Sequence, residues 1–68
     1  MRTGLVYTET VIHSAPEKFV HEAPYQTVIV TLGDGSRVTG RVDGARVEID
    51  DRVAEVEIRA GVPFFRKI

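Results

Sequence analysis

The stretch Gly4-Leu5-Val6-Tyr7-Thr8-Glu9-Thr10-Val11-Ile12-His13 decides the fold. It is rich in β-branched and aromatic residues, which favour a pleated, half-buried strand, and it is longer than an average strand. Alternation places Leu5, Tyr7, Glu9, Val11 and His13 on one side and Val6, Thr8, Thr10 and Ile12 on the other. Neither side is uniformly apolar. A strand of this kind predicts a bend midway, where a bulge exchanges its inner and outer faces. Such a long, curved first strand suits a small closed barrel, in which it pairs with neighbours on both halves of the closure.

Working outward, Ser14 to Lys18 breaks the strand, with Pro16 inside the break, and Pro24-Tyr25 opens the next one. Tyr25 to Leu32 is the best central strand, with Val28, Val30 and Leu32 on one face and Tyr25, Thr27, Ile29 and Thr31 on the other. Gly33-Asp34-Gly35-Ser36 reads as a hairpin turn, because both glycines can take positive φ beside a turn-forming aspartate. Arg37 to Val42 returns antiparallel, and Gly40 within it predicts a bulge or a close backbone crossing. Asp43-Gly44 turns the chain, and Arg46 to Asp50 forms a short alternating piece. Arg52 to Arg59 follows, with Val53 out of phase with Val56 and Ile58, which predicts a bulge near Ala54-Glu55. After Ala60-Gly61, Val62 to Ile68 is expected as an edge strand, where Pro63 would be tolerated. The fold class is all-β: a small Greek-key barrel of five to six strands, residues 1–68 forming a single domain.

Composition narrows the function classes. The chain has 68 residues, no cysteine and a formal net charge of -1. A core this small has no disulfide or thiolate zinc site to brace it, so oligomerisation or docking on a partner is expected to help. The balanced charge argues against a nucleic-acid binder, which ordinarily carries a basic patch. The longest uncharged stretch, Ala23 to Gly33, is far shorter than a membrane span, and the N-terminus lacks a signal-peptide pattern, so a cytoplasmic location is the expectation.

Catalytic patterns are weak. The two histidines are His13 and His21, and Ser14 beside His13 points to the opposite strand face, so no nucleophile–base pair follows. His21, Glu22 and the distant Asp50 or Asp51 lack the spacing of a metal site. Gly33-Asp34-Gly35 precedes a strand, not a helix, and is therefore a hairpin before it is a phosphate cradle. The expectation is no catalytic residue, no cofactor and no metal. Arg37, Arg41 and Arg66 are the candidates for contact with a phosphate or ligand, since arginine presents a fork of donors. Tyr25, Phe64 and Phe65 are the candidates for partner binding: neighbouring rings on a strand point oppositely, so one phenylalanine is expected to be exposed.

Taken together, several segments resemble one family. These are Gly4 to His13, Ala23-Pro24-Tyr25, Leu32-Gly33-Asp34-Gly35-Ser36-Arg37-Val38-Thr39-Gly40-Arg41-Val42 and Gly61-Val62-Pro63-Phe64-Phe65-Arg66. They are similar to the opening strand, second strand, hairpin and ending of the acyl-CoA-associated OB-fold domain, the domain of unknown function thirty-five. The resemblance covers nearly the whole chain and implies an OB-fold. It further implies a non-catalytic accessory or scaffold role, docked on a thiolase-like or hydratase-like enzyme and helping to hold the CoA thioester. The chain departs from the family in two respects. The rubredoxin-like zinc ribbon is missing, so a separate zinc-ribbon protein becomes an expected partner, and Asp51 stands where the family often has glycine. Self-association is a further expectation. The competing function is a single-stranded nucleic-acid-binding OB-fold, with Tyr7 and Tyr25 as stacking rings beside Arg37 and Arg41.

Overall fold

The computed structural model describes residues 2–13 and 24–68. Five strands are present among them: β1 (Thr3–Ile12), β2 (Tyr25–Leu32), β3 (Arg37–Val42), β4 (Arg52–Arg59) and β5 (Val62–Lys67). They close into a barrel in the order β1-β2-β3-β5-β4, with β3 and β5 parallel and every other pair antiparallel. This is an all-β OB-fold.

The bend expected in β1 is a bulge. The β2 register steps from Val6↔Val30 to Thr8↔Ile29, leaving Tyr7 as the extra residue. The bulge lets Val6 point into the core while Tyr7 stays half exposed. A second register shift lies in β4, between Glu55 and Glu57; Val53 before it is buried, whereas Val56 and Ile58 are exposed. The core itself is thin: Val6, Val28, Val30, Val47, Val53 and Phe65, flanked by Leu32, Val38 and Val42.

The two-residue turn between β4 and β5 uses Ala60 at φ 50° and Gly61 at φ 80°. Positive φ at both central residues is the mark of a type I′ hairpin, whose twist matches that of the strands. In the turn between β2 and β3 only Gly35 has positive φ. There Asp34 Oδ1 accepts from the backbone N–H and the hydroxyl of Ser36, at 2.9 and 2.6 Å. Those bonds hold the Asp34 carboxyl below its ordinary pKa range.

Two sequence expectations are overturned. The C-terminal segment is not an edge, because β5 lies between β3 and β4. In a two-residue hairpin Arg59 and Val62 exchange bonds with each other, so the nitrogen of Pro63 turns away from β4. The β3 ladder begins one residue later, at Arg41↔Phe64, and the absent N–H is therefore not needed there. Nor do residues 46–50 form a strand. Asp50 takes a left-handed φ of 73°, and the segment is held instead by a side chain. Gln26, 6% exposed, accepts from Val47 N–H at 2.9 Å and donates to Val47 O at 2.7 Å. Its remaining N–H goes to Glu9 Oε1 at 3.0 Å. The amide imitates one rung of a β-ladder, and Val47 seats in the core beneath it. Asp50 N–H to Val6 O and Val6 N–H to Asp51 O complete the attachment, at 2.8 and 3.0 Å.

Gly40 is the other fixed point. A Cβ there would lie 2.5 Å from Pro63 O and 2.9 Å from the Phe65 ring, so β3 and β5 approach too closely for any side chain. Gly40→Ala is expected to destabilise the fold by about 1–3 kcal/mol through overpacking, measured by urea unfolding. Gln26→Leu leaves both backbone groups of Val47 buried without partners, and the same assay is expected to show a loss of about 2–4 kcal/mol.

Candidate functional site

The outward residues of β2, β3, β5 and β4 line up across the barrel. Thr27 pairs with Arg41, Arg41 with Phe64 and Phe64 with Glu57. On this shared face the Arg41 guanidinium sits 4.0 Å from the Tyr25 ring centroid and 5.2 Å from that of Phe64. The Arg59 guanidinium covers Phe64 at 4.4 Å. The result is an alternating row: Tyr25, Arg41, Phe64, Arg59, with one member from each strand. Cation–π attraction of this kind is strongest where water is excluded, and Phe64 is only 6% exposed beneath its two arginines.

The row divides a groove into two lobes. One, of about 390 Å³, adds Val11, Val42, Asp43 and Arg46 to it. The other, of about 600 Å³, adds Thr27, Thr39, Gly40, Val62 and Pro63. Asp43 does not set the charge of the first lobe alone, because Arg66 pairs with it at 2.7 Å.

The residues singled out from sequence are thus sorted. Arg41, Tyr25 and Phe64 come together in the groove. Arg66 is engaged with Asp43, and Arg37 lies over the exposed Tyr7 ring at 4.0 Å, outside the groove lining. The expectation that one of the two phenylalanines is exposed is incorrect. Both are buried: they point oppositely, Phe65 into the core at 0% exposure and Phe64 outward under the arginines. Phe65 is therefore a core residue and not a contact surface. Arg59 and Gln26 do not stand out in the sequence. Arg59 had a signal in its place at the mouth of a hairpin opposite Val62, whereas only the packed structure reveals Gln26.

His13 is exposed at the end of β1, while Ser14, His21 and Glu22 lie outside the described residues. Asp50 and Asp51 form a turn in which Asp51 Oδ2 accepts from Glu48 N–H at 2.8 Å. Among the described residues no three His, Cys, Asp or Glu side chains are grouped as a metal would need, and no helix is long and apolar enough to cross a membrane.

The family description "ChsH2, C-terminal OB-fold domain" matches residues 1–59. The chain belongs to that family. It is 42% identical over 45 residues to a DUF35 domain-containing scaffold protein of Methanocaldococcus jannaschii, a match covering 66% of this chain and 32% of the relative. Among solved structures it is similar to the one described as "Ltp2-ChsH2(DUF35) aldolase", with TM-score 0.76 and 30% identity, covering 97% of this chain and 57% of that one. The chain therefore spans about a third of the curated relative and somewhat over half of the structural one. Tyr25 and Arg41, half of the row, lie on β2 and β3.

Phe64→Leu keeps apolar volume but removes the ring that both arginines cover. The expected outcome is an intact β-fold by circular dichroism with a stability loss of about 1–2 kcal/mol.

Proposed function

We propose that this chain is a non-catalytic accessory OB-fold domain that docks on the catalytic subunit of an acyl-CoA-processing enzyme, thiolase-like, hydratase-like or aldolase-like. The observation that carries this reading is its similarity to two proteins whose descriptions name a scaffold and an aldolase assembly. A separate zinc-ribbon protein and self-association are secondary proposals of the same reading.

The docking surface follows from exposure and not from the aromatic pair. β1 covers β4 only through Thr3–Leu5 against Arg52–Ala54. Beyond that, Arg2 O accepts from Glu55 N–H at 2.7 Å, and the Arg2 guanidinium holds the Glu55 carboxyl below its ordinary pKa range. From Val56 to Arg59, β5 is the single neighbouring strand among the described residues. By hairpin parity, Ile58 turns its N–H and C=O toward the uncovered side. Its side chain is 60% exposed. An exposed isoleucine on a stretch of backbone edge that no described strand covers suits the addition of an extended strand of the catalytic subunit.

A cation-rich groove whose rings are already covered is poorly suited to the nucleic-acid alternative. Stacking readout needs open ring faces, and Tyr7, Tyr25 and Phe64 each have an arginine over one face. Capture of tagged protein from its native host, followed by mass spectrometry, tests the docking reading. Recovery of a thiolase-, hydratase- or aldolase-type subunit in fixed stoichiometry is expected, with Ile58→Asp abolishing it while the fold persists. Equal recovery with Ile58→Asp would remove the β4 edge from the account.

A further inference from the structure

We propose that in the free chain the uncovered edge of β4 is a seam between two copies, paired antiparallel about a two-fold axis at Ile58. The seam gives the self-association proposed above its place and register, and it rests on that proposal. The backbone sets the position. Arg59 and Val62 flank the two-residue turn and exchange bonds with each other, and the register makes Glu57 and Phe64 the next such pair. Glu57 and Arg59 thus turn their backbone groups toward β5, and Ile58 turns its N–H and C=O away. Among the described residues no strand meets those two groups. A two-fold axis normal to the sheet sets Ile58 against Ile58 of the second copy, where the two residues exchange both bonds.

Side-chain charge selects this register. Centred on Ile58, the pairing sets Glu57 against Arg59 of the second copy, and Arg59 against that copy's Glu57. These flanking pairs are of the closely spaced, non-hydrogen-bonded kind, in which opposite charges attract and like charges repel. A centre at Glu57 would bring two carboxylates face to face, and a centre at Arg59 two guanidinium groups. A centre at Val56 would set Glu57 against Glu55 of the second copy, whose N–H is already given to Arg2 O at 2.7 Å. Of these four centres, Ile58 alone joins outward backbone groups to opposite charges.

The seam keeps the contacts these side chains already make. Arg59 Nε donates to Glu57 Oε1 at 2.8 Å, and the guanidinium lies over Phe64 at 4.4 Å. Arg59 and Glu57 remain 53% and 43% exposed, and each is able to make more than one bond. Across the axis the single bridge extends into a circuit of four charges. On the opposite face Ile58, 60% exposed in one copy, packs on Ile58 of the other and leaves water. The contact is confined to Glu57, Ile58 and Arg59 of each copy, and so small an interface makes a weak dimer, with Kd on the order of 0.1 mM. An edge has room for one strand, so a second copy shields it until a strand of the catalytic subunit takes its place.

Sedimentation equilibrium of the full chain, at concentrations bracketing that Kd, tests the seam together with two charge reversals. Glu57→Arg and Arg59→Glu each set like charges across the axis at both symmetry-related pairs. Each is expected to weaken the dimer about tenfold or more, while the amide spectrum stays that of the folded barrel. Mixed in equal amounts, the two variants face cations with carboxylates, and association is expected to return to near its native strength. Without any substitution, an isotope-filtered Overhauser contact is expected between Ile58 methyl groups of labelled and unlabelled copies. A chain that stays monomeric throughout would overturn the seam and the self-association together. A dimer that lacks the Ile58 contact, that neither reversal weakens, or that the mixed folded variants fail to restore would overturn the seam alone. Capture of the enzyme subunit from the host is a separate readout, so neither result is confused with failure of the docking reading.

Discussion

The close approach of β3 and β5 at Gly40 is the constraint on which the rest of this structure depends. An OB-fold closes through one parallel pair, and here that pair is short, Arg41↔Phe64 and Val42↔Phe65. Parallel pairing is slightly weaker per residue than antiparallel pairing, so the contact must be made by packing as well as by hydrogen bonds. Absence of a side chain at residue 40 lets the Phe65 ring fill the core directly beneath it. Once Phe65 points inward, Phe64 must point outward at the level of Arg41. The groove is a geometric consequence of how the barrel shuts.

A second closure is made without a strand. Residues 43–51 pass the open end of the barrel and contribute Val47 to the core, although the segment has no ladder of its own. The Gln26 side-chain amide provides the missing rung. With few buried residues available, a single polar side chain that satisfies two buried backbone groups counts for more than it would in a larger domain.

Much of the fold was legible in the sequence, and the reasons are local. Alternation marked β2 because its burial alternates residue by residue. The crowded mixed pattern of β1 signalled a bulge, found at Tyr7. The Gly40 approach was readable because a glycine inside a strand often marks a bulge or a point where another backbone comes close. What escaped was non-local. The position of β5 between β3 and β4 cannot be inferred from Val62 to Ile68 alone, since Pro63 suggests an edge until the hairpin parity is known. One of Phe64 and Phe65 read as exposed because the sequence does not reveal that two arginines from neighbouring strands cover Phe64. Gln26 was invisible for the same reason, its partner Val47 lying 21 residues away. Family resemblance reached the architecture; the composition of the groove came from packing.

Nuclear Overhauser spectroscopy of the labelled chain tests the central claim, that one closure builds both core and groove. The account predicts contacts from Gly40 Hα to the Phe65 ring, together with contacts from the Arg41 side chain to both the Tyr25 and Phe64 rings. Absence of the Gly40–Phe65 contact in a sample that retains the β1–β2–β3 pairings would mean an open sheet, and would contradict the account at its base.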